Sequence, residues 1–535
     1  MANDMESTPR NGVVHLSRRH VLQGAAAATG AATLGVETPA RGASPARAIP
    51  VVQADPAGEA TIAQGPEITN LDASMSTGML TFNTAIHMME PLLMRGDDLQ
   101  LQPFLAEEYA YVDDTTLRLK IRQGVTFHNG DPLTVDDVVF TLQRVSAPDS
   151  ESDHRIYAQR VASVEAVDGQ TVEVKFSEPD ATFLGRLALI PIVPKRVVEE
   201  MGNEGFDASP TGTGPYTFVS WQRGDRVTLQ SFPNYWRGPA AIKSLVFRGI
   251  TEDATRMAEL QTGALELATN VPTYMVPELE TAGNVQVKQV NSLRALFVVL
   301  NTKQPPFDDV RMRQAVNFAI DKDLIVEGVL DGAARPLSQP FGPEVFGYNP
   351  NLDGFYAYDP ERARALIAEA GYTDGVDVKM FGPSGRFQKG DEVAENLAAQ
   401  LEEVGIRVNL NFLEYQAYLE NYSRKFNPDM HMGFWSNANN TADADYNLSL
   451  NLHSAGRLPY WSDPEIDALI DKARQTIDPA QREEMYHDIL RRIVEAAPWL
   501  FLYSQADIYG VASALQGWEP RPDEMIYLYG ASLGG

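Results

Sequence analysis

The side chains best suited to hold a metal or move protons are scattered along this chain. The eight histidines are His15, His20, His87, His128, His154, His431, His453 and His487. No His-Glu-x-x-His occurs and no pair lies four apart, so the helical spacing that turns two imidazoles onto one zinc is missing. There is no cysteine, which excludes disulfides, thiolate metal sites, a Cys nucleophile and a lipid anchor on an N-terminal Cys. Gly382-Pro383-Ser384-Gly385 only approaches a Gly-x-Ser-x-Gly nucleophile turn and reads as a loop. Gly212-Thr213-Gly214 lacks the third Gly or Lys-Ser/Thr of a phosphate loop and reads as a tight turn before a strand. Asp443 and Asp445 are close in sequence, but a solvated loop is a better expectation than a catalytic dyad. No nucleophile, base and orienting residue assemble. The expectation is binding without turnover, with no cofactor and no resident metal.

Two basic residues have a different use. Ser17-Arg18-Arg19-His20-Val21-Leu22-Gln23 precedes a weakly apolar Ala/Gly/Thr run from Gly24 to Val36. A paired Arg before a mild hydrophobic segment reads as a twin-arginine export signal, with Arg18 and Arg19 as its address. Cleavage after Ala48 or after Ala54 fits the small-x-small rule. The expected product is periplasmic, and the twin-arginine translocase is its partner during export. The whole chain carries 44 basic and 72 acidic residues, a net charge of −28; cleavage after Ala48 leaves 39 and 69, or −30. That field repels nucleic acid and anionic lipid at long range, so neither is an expected partner. No apolar stretch reaches 18 residues, and nothing reads as a membrane span.

The 535 residues suffice for about three to four structural units. Thr115–Arg122 and Thr171–Phe176 alternate with period two, as half-buried strands do. Between them, Thr134 caps a helix with Asp136 and Asp137 in its first turn, where they complement the helix dipole. Strands are expected at Tyr216–Trp221, Ser244–Ile250 and Leu265–Leu267, with a helix at Asp253–Thr262. The second half alternates strands (Ala295–Leu300, Val376–Phe381, Arg407–Phe412, Met430–Trp435, Leu500–Tyr503) with helices (309–320, 392–404, 416–422). Such alternation implies mostly parallel pairing. Asp359-Pro360, Asp463-Pro464 and Asp478-Pro479 each start a helix, with Asp accepting free amide hydrogens and Pro losing no hydrogen bond in the first turn.

Several of these segments carry a resemblance. Leu119-Lys120-Ile121-Arg122-Gln123-Gly124-Val125-Thr126-Phe127-His128-Asn129-Gly130-Asp131-Pro132 through Phe140 resembles the signature of family 5 extracellular solute-binding proteins, the dipeptide, oligopeptide and nickel receptors of ABC importers. Gly212–Tyr216, Asn234-Tyr235-Trp236, Asn301-Thr302 with Pro306–Val316, and Tyr358-Asp359-Pro360 with Ala370-Gly371-Tyr372 match in order, over about residues 65–510. The resemblance implies an α/β, two-lobed periplasmic-binding-protein fold with an enlarged first lobe, mixed sheets and a hinge crossed twice. Residues 1–48 would be the export signal and 49–300 lobe I, completed by the tail 500–535. Lobe II would be 301–499. The crossings would fall near Leu300–Thr302 and Trp499–Ser504.

The resemblance also nominates ligand contacts. In the family's dipeptide receptors, an Arg before an aromatic, ahead of a second-lobe helix, binds the ligand carboxylate. Arg386-Phe387 matches that place, and a guanidinium suits a carboxylate bidentately. The family's peptide receptors also carry an acid shortly after a Trp, for the peptide amine. Here Trp435-Ser436-Asn437-Ala438-Asn439-Asn440 puts Asn437 and Asn439 there instead, with Asp443 or Asp445 as substitutes if the loop folds back, and Trp435 either lines the cleft or packs in the core. The expected function is a monomeric receptor that captures short peptides or a related carboxylated solute and delivers it to ABC permease subunits. A receptor for a nickel chelate, using His431 or His453, or for another non-peptide solute is the alternative. An exported hydrolase is disfavoured.

Replacing Arg18 and Arg19 together by Lys should hold the precursor in the cytoplasm. Cell fractionation with immunoblotting reads this, and normal export of the double variant would remove the twin-arginine assignment.

Overall fold

The computed structural model describes residues 55–423 and 425–534; the export segment, with Arg18, Arg19 and both expected cleavage sites, lies outside the described residues. Its centre is an antiparallel pair of unusually long strands, Val285–Leu300 and Trp499–Ala512. They belong to an eleven-stranded mixed sheet. On one side Met432–Ala438 pairs antiparallel with Val285–Leu300, followed by the parallel strands Val376–Pro383 and Ile406–Leu413. On the other side lie Leu267–Ala268, Ala57–Gln64 and Ile242–Gly249, with the antiparallel Arg226–Ser231 and Tyr216–Gln222 at the edge. Parallel pairing is thus confined to Ala57–Gln64 with its two neighbours and Val376–Pro383 with its two; the other strand pairs are antiparallel, so the expectation of mostly parallel pairing fails.

Hydrophobic packing divides this sheet. Leu293–Leu300 and Trp499–Tyr503 bury into one large cluster together with the helices that begin at Val310, Pro464 and Pro479. Within it Phe297 and Trp499 stack with ring centroids 3.7 Å apart and planes 7° from parallel. The earlier part of the first strand and the later part of the second pack elsewhere: Val285, Ala506 and Ile508 join one smaller cluster, and Tyr509 and Val511 another. Both chains thus change cluster in mid-strand, near Ser292 and near Ser504–Gln505. The ladder register slips between Asn291 and Ala295 at the same level.

The first lobe is enlarged by a four-stranded antiparallel sheet of Ala106–Asp113, Thr116–Ile121, Thr171–Phe176 and Val161–Ala166. Helix Val135–Ser146 covers it, burying Val138, Leu142 and Val145. The Thr134 cap is as expected, its backbone N–H and hydroxyl both donating to Asp137 Oδ2 at 2.9 and 2.7 Å. Asp359, Asp463 and Asp478 likewise accept backbone N–H groups at the starts of their Pro-led helices. The turn at Gly212–Pro215 leads into the main-sheet strand Tyr216–Gln222 and packs against Met88 and His87. A Cβ on Gly212 would lie 2.3 Å from the Met88 carbonyl oxygen, and one on Gly214 2.5 Å from that of His87. Close packing of two backbones, not a phosphate, explains both glycines. Gly214→Ala should cost at least about 1–3 kcal/mol by overpacking, measured as a lower thermal midpoint.

Candidate functional site

A cleft of about 750 Å³ opens beside the level where the two long strands change cluster. First-lobe segments around Gln64, Met79 and Thr273 form one wall, and the second-lobe loop Gly385–Lys389 with Ala438 and Asn440 forms the other. Arg294, Gln505–Tyr509 and Glu524 line its floor. Its size is that of a small-molecule or short-peptide site. Tyr274, 69% exposed, stands among the lining residues. Polar atoms of four lining residues are shielded from solvent yet have no hydrogen-bond partner among the described residues: Gln64 Nε2, Thr273 Oγ1, Gln388 Nε2 and Asp507 Oδ2. Buried polar groups are normally satisfied, so the cleft holds hydrogen-bonding capacity that the protein does not use itself.

Arg386 and Phe387 lie on this wall. Strand Val376–Pro383 ends there, and Ser384 is tied down by its N–H to the Leu413 carbonyl at 2.8 Å and by its hydroxyl to Asp391 at 2.8 Å. Gly385, at φ +64°, makes the bend that projects Arg386. Among the described residues Arg386 has no hydrogen-bond or ion-pair partner; its guanidinium lies 5.1 Å from the Tyr415 ring centroid and 6.0 Å from that of Phe387. Neighbouring cations are already engaged: Lys389 pairs with Asp331 at 2.6 Å, and Arg294 with Glu524 at 2.8 Å.

The other expected residues sit behind the wall. Trp435 is 5% exposed and packs in the large cluster. Its ring stacks on Tyr415 at 6.5 Å and 15°, so it braces the aromatic face beneath Arg386. Asn437 is buried, donating to Asn447 Oδ1 at 3.1 Å and accepting from Arg457 at 2.6 Å. Asn439 donates to the Asp443 carbonyl at 2.8 Å and accepts from Thr441 at 3.0 Å. Neither reaches the cleft; Ala438 and Asn440 do. Asp443 and Asp445 are not a solvated pair. They face the protein interior, held by Arg482 at 2.7 Å and Arg474 at 3.1 Å, and the loop does not bring them to the cleft. Neither His431 nor His453 lines the cleft. Among the described residues no three His, Asp or Glu side chains converge on a metal-sized site.

Sequence reasoning missed Asp507, Arg294 and Glu524. The available signal was a lone charge within an apolar strand: Asp507 in Ala506–Tyr509 and Arg294 in Leu293–Leu300. It also missed a second meeting of the lobes. Arg186, from the helix Phe183–Leu187, is buried with its guanidinium 3.4 Å from the Tyr157 ring centroid and 5.1 Å from that of Tyr446. Tyr157 belongs to the first lobe and Tyr446 to a helix seated in the second-lobe cluster. Nearby, Ala181 N–H donates to the Arg474 carbonyl at 2.9 Å, and Arg95 donates to the Thr441 carbonyl.

A solute-sized cleft between two α/β lobes, floored by the strands that connect them, defines a periplasmic binding protein. The chain belongs to the bacterial extracellular solute-binding proteins, family 5, whose profile matches residues 100–457. A twin-arginine translocation signal matches residues 15–35, and the protein is periplasmic. The glutathione-binding protein GsiB of Pectobacterium atrosepticum is 29% identical over 489 residues, covering 89% of this chain and 94% of that one. The heme-binding protein A of Haemophilus influenzae is 28% identical, covering 81% and 84%. The periplasmic binding protein DppA of Helicobacter pylori, solved with the peptide STSA, superimposes with a TM-score of 0.73 at 25% identity, covering 89% and 98%. The substrate-binding protein CtaP of Listeria monocytogenes shares the fold with a TM-score of 0.82 at 24% identity, covering 90% and 100%.

A desolvated cation–aromatic contact contributes about 2 kcal/mol. Arg186→Ala should therefore shift the ligand-free protein toward open forms by roughly 30-fold at about 1.4 kcal/mol per decade. Small-angle scattering reads this as a larger radius of gyration.

Proposed function

We propose that this protein is a receptor for short peptides or related carboxylated solutes, closing its lobes on them and presenting them to the permease subunits of an ABC importer. The observation that supports this best is Arg386: a guanidinium on the cleft wall, braced by Tyr415, with no carboxylate paired to it among the described residues. A bidentate guanidinium matches a carboxylate, and Phe387 beside it offers an apolar cover. The polar atoms of Gln64, Thr273 and Gln388 supply donors and acceptors of the kind that an amide-bearing ligand satisfies. The ligands of two relatives, a peptide for the Helicobacter protein and glutathione for GsiB, agree with this class. Among the described residues no His lines the cleft.

In this reading the protein does not turn its ligand over, acts as a monomer, and has its lobe boundaries near residues 292 and 505. Ligand contacts both walls only in the closed state, so binding free energy drives closure. Affinities from micromolar to nanomolar, about −8 to −12 kcal/mol, are within reach of such a cleft.

Mass spectrometry of solute released from the natively exported protein identifies the ligand, which should leave chemically unchanged. With that solute, Arg386→Ala should weaken binding by about 2–5 kcal/mol, roughly 30- to several-thousand-fold, in calorimetric titration. Thermal melts of the ligand-free proteins should stay close together, because an exposed loop guanidinium adds little to the fold. Unchanged affinity would remove Arg386 as the carboxylate anchor.

A further inference from the structure

The cleft floor carries a charge imbalance. Arg294 on one long strand pairs with Glu524 from the C-terminal segment at 2.8 Å. Asp507, on the partner strand, lines the same floor. Strand alternation explains its direction: Ala506 and Ile508 pack into the apolar cluster beneath the sheet, and Asp507 lies on the opposite face. Among the described residues its Oδ2 is shielded from solvent and has no hydrogen-bond partner, no cation forms an ion pair with it, and the Ser292 hydroxyl is the neighbour that approaches the carboxyl. Two acids therefore share one cation.

We propose that Asp507, beside the Arg294–Glu524 pair, is the cation-accepting end of the cleft and receives a protonated amine of the ligand. This deepens the carboxylated-solute reading and rests on it: Arg386 on the second-lobe wall and Asp507 on the floor would hold the two charged ends of one zwitterion.

The electrostatics agree. Burial pushes the Asp507 carboxyl well above its ordinary range; the charge of Glu524 pushes the same way and Arg294 opposes. Tyr509 on the same strand has its hydroxyl pushed up by burial. The other charged groups of the lining are spoken for. Lys389 is held by Asp331 and Asp253 by Arg256, each at 2.6 Å, and Glu67 accepts the Gly224 N–H at 2.7 Å. An ammonium against Asp507 favours the ionised form. Where the ligand-free Asp507 is protonated, docking converts a carboxylic acid and an ammonium into a carboxylate–ammonium pair, and the acid's proton leaves to solvent. The sign follows: below the pKa of Asp507 in the ligand-free protein, binding releases a proton and affinity falls as pH falls.

The test uses a pool of random tripeptides and tetrapeptides, the same pool N-acetylated, and the same pool C-amidated. Each is titrated calorimetrically into the ligand-free mature protein at pH 6, where α-amines are already protonated, in buffers of different ionisation enthalpy. The expected result is release of up to one proton per bound peptide and loss of roughly 30-fold or more in affinity on N-acetylation. Asp507→Asn should abolish both the proton release and the preference for the free amine. Equal binding of the free and acetylated pools by the wild type, which needs no variant to fold, overturns the assignment of Asp507 alone. Equal binding of the free and amidated pools overturns the Arg386 reading instead, and with it the zwitterion. Failure of every pool to bind overturns both.

Discussion

The backbone pairing of Val285–Leu300 with Trp499–Ala512 is the constraint on which the molecule depends. A ladder of this length is stiff along its strands, yet its two ends are buried in different hydrophobic clusters. The slip of register between Asn291 and Ala295 lies where one cluster gives way to the next. Irregularities of this kind increase local twist and re-aim side chains. Here they occur beside the residues that floor the cleft, so the element that joins the lobes also builds part of the site between them. Arg294 and Asp507, which line the cleft, thus belong to the same two strands that run between the clusters.

Much of the fold could be read from local chemistry. Helix starts were legible because a cap is written in one or two residues, as with Thr134 and the three Asp-Pro pairs. Strands such as Thr171–Phe176 were legible because half-burial imposes strict alternation. The halves of the long strands nearer the first lobe were not. Val285–Asn291 interleaves Gln and Lys with Val, and Ser504–Ala512 carries Asp507 and Gly510, so neither looks like a buried strand. Asp507 faces the cleft and Lys288 reaches the Trp518 carbonyl and Glu519, and sequence periodicity distinguishes neither from a residue in open solvent.

The site was legible by halves for the same reason. Arg386 stands on a turn whose Gly and Pro announce it, next to a strand end, and position along the chain sufficed to nominate it. Asn437 and Asn439 occupy a segment that does run to the cleft, but alternation along Met432–Ala438 and the turn beyond it direct them inward. Asp443 and Asp445 find their partners on helices far along the chain, at Arg482 and Arg474. Those pairings arise only from tertiary packing. Asp507 depends in the same way on Arg294 and Glu524, which approach it from two other segments.

The Arg186 contact between Tyr157 and Tyr446 has a bearing on selectivity. It touches neither Arg386 nor Asp507, so whatever free energy it contributes to the closed form is the same for every occupant of the cleft. A term common to all ligands multiplies every affinity by one factor and cancels from every ratio of affinities. Strength of capture and choice of cargo are thus written in separate places on this molecule. The grip could drift in evolution, to suit scarce or plentiful solute, without changing what is gripped.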